Sequence, residues 1–250
     1  MASTFDLSRF EAVLFDLDGV LTDTADLHAE AWKVMLDEFL RRWSVEHGHP
    51  FIPFEIDPDY LEYVDGKPRY EGVASFLESR RIVLPEGSPG DPVDADTICG
   101  LGNRKNELVN DLIIDRGVEP LPGALEIVEQ VRGTGAKTAI VSSSRNATVI
   151  LQAAKIDHLF DEVVDGTVAD ALDLPGKPAP DTLLEAAQRL QVEPASAVDI
   201  EDSIVGVEAG RLGGFGYVVG VARDADGARL GRHGADVVVE SLTDLLVAGD

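Results

Sequence analysis

Two aspartates near the start of the chain stand at a spacing that can do chemistry. Asp16 and Asp18 are one residue apart, follow the apolar run 12–15 and precede Gly19. Because side chains alternate along a strand, both carboxylates begin on the same side of it. Gly19 permits the positive φ that lets the chain turn away and leave both carboxylates exposed. Two like charges held this close are costly unless a cation or a shared proton offsets them, so the pair is a candidate for metal-assisted chemistry.

Three more groups of polar residues end or follow predicted strands further along the chain. The run 137–141 is followed by Ser142, Ser143, Ser144, Arg145 and Asn146. Lys177 lies between a glycine and a proline, ahead of a predicted helix, and Glu201 and Asp202 follow the run 197–200. In open α/β sheets, ligands bind outside the carboxyl ends of the strands. Asp16, Ser142 and the pair Glu201 and Asp202 all fall at such ends, so one crevice can gather them.

Each group also has a simpler interpretation when it is taken alone. The aspartate pair can be an acidic turn, and residues 142–146 can be a strand-ending loop that caps a helix. Lys177 alone is typical of a solvated lysine, and Glu201 with Asp202 is typical of an acidic loop before a helix. The joint placement of all four groups after strands favours the catalytic interpretation.

Short β-branched runs alternate with helical patterns from about residue 120 onward. The predicted strands are 137–141, 162–165, 197–200, 217–221 and 236–239. Helical spacing relates Leu125, Val128 and Val131, ahead of Gly133 and Gly135, and again Leu183, Leu184, Ala187 and Leu190 after Asp181. Strands that alternate with helices predict an α/β fold with a doubly wound, mainly parallel, Rossmann-like sheet.

The stretch between the first strand and residue 118 follows helical periods and lacks strand signals. The residues at helical spacing are Leu27, His28, Ala31, Trp32, Val34, Met35 and Phe39, and later Val73, Phe76 and Leu77. Two stretches rich in Pro and Gly, 48–58 and 84–92, are predicted loops. We therefore predict a helical cap, residues 24–117, inserted into a core of residues 1–23 and 118–250. The hinges are expected near residues 22–25 and 117–122.

Composition restricts the class of partner. The chain has 250 residues with 46 acidic and 21 basic side chains, for a net charge of −25. This balance argues against nucleic acid or an anionic membrane as a partner. Cys99 is the only cysteine, so no intramolecular disulfide can form. No signal-peptide core or membrane-spanning apolar run is seen, and we expect a soluble cytoplasmic monomer.

The four core motifs and their order resemble the haloacid dehalogenase superfamily of phosphotransferases over nearly the whole chain. The resemblance implies that Asp16 is a nucleophile that becomes an aspartyl phosphate and that Asp18 is a general acid and base. It implies that Ser142 and Lys177 hold the phosphoryl oxygens and that a helical cap follows the first strand. The implied ligands of Mg²⁺ are Asp16, the backbone carbonyl of Asp18, Glu201 and Asp202. Branches that cleave carbon–halogen or phosphonate bonds lack the second aspartate, so Asp18 indicates phosphate esters.

The cap carries a second resemblance, to β-phosphoglucomutases. Thr24, His28 and Trp32 resemble the hinge and first cap helix of that family, in which the matching histidine couples cap closure to acid–base catalysis. His28 and Trp32 can also be packed on the apolar face of a helix. The resemblance implies a set of contacts to the sugar and its far phosphate, made by Gly66 and Arg69 within residues 65–73, by Lys105 within 100–106, and by Ser144, Arg145 and Asn146.

Some features depart from that family. Arg145 stands where a lysine is common, and loops 48–58 and 84–92 look longer than in compact members. His47 and His49 have no assignable counterpart and are more typical of a solvated loop than of a metal site. These departures leave the identity of the sugar open.

The leading hypothesis is a Mg²⁺-dependent phosphoglucomutase that interconverts β-glucose 1-phosphate and glucose 6-phosphate through phosphorylated Asp16 and a bisphosphate. Closure of the cap would then exclude water, since hydrolysis of the aspartyl phosphate wastes a cycle. The alternative is a sugar-phosphate phosphatase with the same core and water as acceptor. A non-enzymatic sugar-phosphate-binding module is disfavoured because every core catalytic position is filled.

Overall fold

A computed structural model describes residues 7–222 and 227–246. The chain divides into two compact units. One, the core, runs to Asp23 and resumes at Val118, and the other, the cap, is Thr24–Gly117. The two linkers between them run side by side, since the Leu121 amide donates to the Leu21 carbonyl and Thr22 pairs with Pro120 in an antiparallel bridge.

The cap is helical, and residues 24–117 contain no strand. Its α-helices are α1 (Ala25–His47), α2 (Arg69–Ser79) and α3 (Ile98–Arg116). A π-helical segment, Ile56–Val64, lies between α1 and α2 and is interrupted by extended backbone at Asp57. The predicted loop 48–58 is therefore wrong at its end, because its last three residues belong to this segment. Residues 84–92 form a loop as predicted.

Apolar spacing explains most of the cap's own hydrophobic core. Trp32, Met35 and Phe39 on α1 pack in one cluster with Val73 and Phe76 on α2. Helix α1 ends where Gly48 adopts a left-handed conformation and its amide donates to the Ser44 carbonyl. Val34 lies in α1 as its helical spacing predicts, but 45% of its surface is exposed, so it does not belong to this cluster.

The core is built on one parallel sheet. Its strands are β1 (Ala12–Phe15), β2 (Lys137–Val141), β3 (Glu162–Val164), β4 (Ala197–Glu201), β5 (Tyr217–Val221) and β6 (Val237–Val239). Their order is β3-β2-β1-β4-β5-β6, and every neighbouring pair is parallel. The predicted doubly wound α/β sheet is confirmed. Two predicted strand ends are too long, because Asp165 caps the next helix and Asp236 precedes β6.

Six α-helices of the described core residues accompany the sheet. They are α4 (Ala124–Gly133), α5 (Ala147–Ala153), α6 (Gly166–Leu172), α7 (Asp181–Leu190), α8 (Ile204–Leu212) and α9 (Gly227–His233). Short 3₁₀ turns occur at Leu7–Arg9, Asp157–Leu159, Pro194–Ser196 and Leu242–Leu245. Leu125 and Leu184 lie in helices as their spacing predicts, but they are 40% and 37% exposed. The buried face of each helix is therefore narrower than its set of apolar residues at helical spacing.

No helix within residues 7–222 and 227–246 is long and apolar enough to cross a membrane.

Candidate active site

The sheet places Asp16 where the strand order reverses. Phe15 lies opposite Ile140 on β2 and opposite Ile200 on β4, so Asp16 leaves β1 between two strand ends. The Asp16 amide continues the ladder by donating to the Ile200 carbonyl at 2.9 Å. The chain continues from β1 to β2 and β3 on one side and then returns to β4 on the other side, and this reversal of strand order opens a crevice beyond the carboxyl ends of the strands.

A tight turn follows Asp16, as the glycine predicts. Gly19 has a φ of +86°, and its amide donates to the Thr22 carbonyl at 2.9 Å. The buried Thr22 hydroxyl donates to the Leu17 carbonyl and fixes the other end of the turn. The Ser142 hydroxyl, at the end of β2, lies 3.5 Å from a carboxylate oxygen of Asp18. The turn therefore holds Asp18 near the strand that carries Ser142.

Lys177 is buried in the centre of the site, with 1% of its surface exposed. Its Nζ lies 2.7 Å from Oδ1 of Asp16 and 2.5 Å from Oε1 of Glu201, and it donates to the Val141 carbonyl at 3.1 Å. Burial lowers the pKa of the lysine, but the charges of Asp16 and Glu201 outweigh burial and raise it above its usual value. Lys177 is therefore a fixed cation beside the proposed nucleophile.

Three carboxylates at this edge could hold a metal ion. Asp16, Glu201 and Asp202 offer oxygens that all lie within 4.8 Å of one another. Both Glu201 oxygens are buried. Oε1 is paired with Lys177, and Oε2 accepts no hydrogen bond from the described residues. Burial raises the pKa of Glu201, and the Lys177 charge opposes this. The unpartnered Oε2 of Glu201 and the other carboxylate oxygens of this cluster fit Mg²⁺, which prefers oxygen ligands. The Asp18 carboxylate does not belong to this group, and the contribution of its backbone carbonyl stays a prediction.

The residue that sequence reasoning missed is Asp199. It lies on β4 two residues before Glu201, is fully buried, and accepts no hydrogen bond from the described residues at either oxygen. Burial raises its pKa to about 7, Lys177 opposes the rise and Asp16 adds to it. The sequence contained a signal for this residue, since Asp199 is an acidic residue inside an otherwise apolar strand. Because side chains two apart on a strand share a face, Asp199 lies on the same face as Glu201.

Two glycines of α8 make room for these buried carboxylates. A Cβ at Gly206 would lie 2.0 Å from Oε2 of Glu201, and one at Gly210 would lie 2.2 Å from Oδ2 of Asp199. The glycines are four residues apart and so share one face of the helix. That face packs against the strand face from which the two carboxylates project.

The loop after β2 is organised by its own hydroxyl groups. The Ser144 amide donates to the Ser142 hydroxyl and the Asn146 amide donates to the Ser144 hydroxyl, both at 3.1 Å. Arg145, expected to contact a phosphate, forms an ion pair with Asp170 on α6. Asn146 precedes α5 without capping it through its side chain. The predicted loop conformation is seen, and the phosphate contacts stay predictions.

In the cap, the structure brings together His28, Trp32 and Lys105. Nζ of Lys105 lies 3.0 Å from Nδ1 of His28 and 5.2 Å from the centre of the Trp32 ring. Trp32 and Lys105 are both buried. A Cβ at Gly72 would meet the Trp32 ring at 3.1 Å, so α2 approaches α1 closely here. Trp32 is therefore packed inside the cap, as the simpler interpretation predicts. The buried Lys105 lies next to His28.

Arg69 begins α2 and forms a second cap group. Its Nη2 donates to Oδ1 of Asn103 at 3.2 Å and to the hydroxyl of Tyr70 at 3.1 Å, and its guanidinium carbon lies 4.9 Å from the Tyr70 ring centre. Its buried Nε has no hydrogen-bond partner among the described residues. Gly66, with a φ of +70°, turns the chain just before this helix.

Comparison with known proteins decides the family. The family model described as haloacid dehalogenase-like hydrolase matches residues 10–214. The chain belongs to this family. The resemblance inferred from the core motifs is confirmed, and the match covers both the core motifs and the cap.

Within the haloacid dehalogenase-like family the chain lies in the β-phosphoglucomutase-like branch. It is 47% identical over 241 residues to a β-phosphoglucomutase from Mycobacterium bovis, covering 95% of this chain and 92% of the relative. It is also 30% identical over 217 residues to a fructose-1-phosphate phosphatase from Escherichia coli, covering 84% of this chain and 96% of the relative. The crystal structure of a β-phosphoglucomutase from Clostridium difficile superposes with a TM-score of 0.73 at 26% identity, covering 95% of this chain and 93% of that one. The haloacid dehalogenase-like relatives thus include a mutase and a phosphatase.

Proposed function

We propose that this haloacid dehalogenase-like enzyme is a Mg²⁺-dependent phosphoglucomutase that interconverts β-D-glucose 1-phosphate and glucose 6-phosphate. The observation that carries the proposal is the presence of two sheltered cations in the cap, Arg69 and Lys105. A mutase must hold a bisphosphate at both ends, whereas a phosphatase needs to hold only the phosphate that it cleaves. Arg69 and Lys105 are suited to the second anionic group and the sugar.

In the proposed reaction, a carboxylate oxygen of Asp16 attacks phosphorus and the ester P–O bond to the sugar breaks. Asp18 gives a proton to the leaving oxygen and later removes one from the incoming hydroxyl. Lys177 and Ser142 bind the phosphoryl oxygens, and Lys177 keeps its positive charge because two carboxylates flank it. The proposed Mg²⁺ ligands are Asp16, the backbone carbonyl of Asp18, Glu201 and Asp202. The bound ion would neutralise negative charge on the phosphoryl group.

Phosphorylated Asp16 then donates its phosphoryl group to the free hydroxyl of the hexose phosphate, and the bisphosphate reorients before the other phosphate returns to Asp16. The residues proposed to bind the substrate are His28, Trp32, Gly66, Arg69 and Lys105 in the cap, and Ser144, Arg145 and Asn146 in the core. Arg145 would exchange its ion pair with Asp170 for the phosphate. Both partners are partly exposed, so breaking the pair costs only about 0–1 kcal/mol.

The second candidate is a sugar-phosphate phosphatase. It is favoured by the similarity to a fructose-1-phosphate phosphatase over 84% of this chain. The core chemistry is shared up to the aspartyl phosphate, and the two functions differ in whether water or a sugar hydroxyl accepts the phosphoryl group. A cytoplasmic location and a monomeric state stay predictions from the sequence.

A ³¹P NMR assay separates the two functions in one measurement. The wild-type protein is incubated with Mg²⁺, β-glucose 1-phosphate and a trace of glucose 1,6-bisphosphate, which charges Asp16. We expect glucose 6-phosphate to appear much faster than inorganic phosphate. Release of inorganic phosphate from glucose 6-phosphate faster than isomerisation of the 1-phosphate would replace the mutase proposal with the phosphatase one.

The Arg69→Ala variant tests the cap's part in this function. Loss of one charge-assisted contact worth about 3 kcal/mol should lower kcat/KM for isomerisation on the order of 10². Hydrolysis of acetyl phosphate, which has one anionic group and no sugar, should stay nearly unchanged or rise. The matched control is Arg104→Ala, because Arg104 is another cap arginine but pairs with Glu38. Equal losses on both substrates would argue against a role for Arg69 in substrate binding.

A further inference from the structure

Asn103 on α3 links Arg69 to a loop of the cap. Its Oδ1 accepts hydrogen bonds from Nη2 of Arg69 at 3.2 Å and from the Tyr70 hydroxyl at 2.8 Å. Its Nδ2 donates to the backbone carbonyls of Pro89 and Asp91 at 3.2 and 2.9 Å. Carbonyls only accept and a guanidinium only donates, so these partners leave one orientation for the amide. Both the acceptor Oδ1 and the donor Nδ2 of Asn103 are therefore hydrogen-bonded.

Residues 84–97, which we call the cap loop, are themselves tied to α3. Asp91 accepts a hydrogen bond from the Thr97 hydroxyl at 2.7 Å, and Thr97 caps α3 by accepting from the Gly100 amide. The amides of Ile98 and Cys99 donate to carbonyls in the loop, at Pro85 and Glu86. The two carbonyls that face Asn103 are therefore anchored to the helix that carries it.

Arg69 is held by neutral oxygens alone. Its guanidinium donates to an amide oxygen and a hydroxyl, and no carboxylate within the described ranges forms an ion pair with it. Its buried Nε still lacks a partner in the described part of the chain. The Tyr70 ring supports the guanidinium from one side. Gly102 makes room for that ring, because a Cβ there would lie 2.6 Å from it. The arginine is thus fixed in place with its charge not neutralised.

We propose that Asn103 is a positioning residue for Arg69, and that the cap loop, through Asn103, sets the arginine for the second anionic group of a phosphorylated sugar. This inference rests on the proposed function of Arg69. A free arginine side chain loses rotamer entropy when it is ordered, and preorganisation removes that cost from substrate binding. A neutral amide can order the guanidinium without competing with the anion for its charge. The length of the cap loop then has a function in substrate recognition.

The test compares Asn103→Ala with Asn110→Ala, the same change two turns further along α3. We expect Asn103→Ala to lower kcat/KM for β-glucose 1-phosphate about tenfold, mainly through KM, and to leave acetyl phosphate hydrolysis unchanged. Asn110→Ala should change neither. In an Arg69→Ala background, Asn103→Ala should cause little further loss, because positioning acts only through the arginine. Additive losses in the double variant would overturn the inference.

Two further variants test the same inference if Asn103→Ala folds poorly. Tyr70→Phe keeps the ring against α3 and removes only the hydroxyl, so KM should rise by a smaller factor, about two- to threefold. Asp91→Ala releases the cap loop from Thr97 and should raise KM at least twofold. An unchanged KM in Asp91→Ala would overturn the part assigned to the loop.

The failure of the inference and that of the proposed function are distinguishable. If Arg69→Ala spares isomerisation, the proposed role of the cap arginine fails whatever Asn103 does. If Arg69→Ala lowers isomerisation while Asn103→Ala behaves like Asn110→Ala, only the positioning inference is overturned.

Discussion

Lys177 shows how strongly the environment of one residue decides its chemistry. An ammonium group this deeply buried is tolerated because Asp16 and Glu201 both contact it. The same contacts hold Asp16 in place before any substrate arrives. Removing one partner of a buried pair costs about 3–5 kcal/mol, so the lysine and the two carboxylates form one unit in both stability and activity.

At this scale the first prediction concerns Asp16, the proposed nucleophile. Asp16→Asn keeps an oxygen that can accept from Lys177 but removes the charge that attacks phosphorus. We expect turnover to fall below about a thousandth of wild type, while circular dichroism shows an intact fold. The measurement is isomerisation and acetyl phosphate hydrolysis on the same preparation. Residual activity above that level on either substrate would argue against covalent catalysis at Asp16.

A second residue-scale prediction concerns Asp199 and pH. Its pKa is about 7 in the folded protein against an ordinary value of 3.8, so the folded state binds the proton more tightly than the unfolded state does. Its contribution to stability is therefore full below about pH 4 and is lost as pH rises through 7. The linkage amounts to at most about 4 kcal/mol.

Asp199→Asn should remove this dependence. In EDTA, the free energy of unfolding of the variant should exceed that of wild type at pH 8 and approach it at pH 5, as measured by urea denaturation. A difference that grows towards low pH would contradict a carboxyl group with a raised pKa at this position.

At the scale of elements, the packing of α8 on β4 depends on two glycines of the helix, Gly206 and Gly210. Glu201 and Asp199 project from one face of the strand, and a Cβ at Gly206 or Gly210 would collide with their carboxylates. Neither carboxylate can swing away cheaply, because both are fully buried. Glu201, a proposed metal ligand, is thus positioned by a helix as well as by its own strand.

The Gly206→Ala variant tests this packing. The new methyl group must displace Glu201 or push α8 outward, so we expect a loss of about 1–3 kcal/mol in stability and weaker Mg²⁺ binding. Gly133→Ala is the matched control, because Gly133 ends α4 with nothing within 4 Å of an added Cβ. That change should be neutral or slightly stabilising. Thermal unfolding and calorimetric Mg²⁺ titration read out both variants, and equal Mg²⁺ affinities would contradict the proposed contact.

At the scale of the whole molecule, the net charge is −25, so Mg²⁺ affects stability in two ways. It screens the repulsion between surface carboxylates, and it binds at the proposed specific site. The cluster of Asp16, Glu201 and Asp202 should nevertheless bind Mg²⁺ more tightly than the scattered surface carboxylates do. Binding to the folded state alone stabilises it by about 2.7 kcal/mol when the ion is present at 100 times its Kd.

We therefore expect Mg²⁺ to raise the unfolding temperature of wild type by several degrees over NaCl of equal ionic strength. Asp202→Asn should lose most of this increase, since it removes one hard ligand. Asp173→Asn is the control, because Asp173 is exposed and its left-handed φ of +54° also suits asparagine. Differential scanning calorimetry makes the comparison. An equal Mg²⁺ response in Asp202→Asn and wild type would move the metal site elsewhere.

The sequence alone determined what depends on local pattern and on chain order. The periods of apolar residues placed the strands and helices, and Gly19 marked the turn after β1. Asp16, Ser142 and the pair Glu201 and Asp202 could be assigned to one edge because every parallel strand ends at the same side of the sheet. Lys177 lies between α6 and α7 and could not be assigned in this way. The helical nature of residues 24–117 followed from spacing in the same way. These features are local or topological, so the residue pattern contains them directly.

Only the tertiary structure decided which polar groups are buried and which groups meet. The local sequence around Lys177 is typical of a surface lysine, yet Lys177 contacts Asp16, 161 residues away. The contact between Arg69 and Asn103 joins residues 34 positions apart and depends on a loop whose sequence indicates only a lack of regular structure. Asp199 belongs to the site because α8 provides two glycines opposite its strand. Burial and charge pairing are set by neighbours from distant segments, and spacing along one segment does not specify those neighbours.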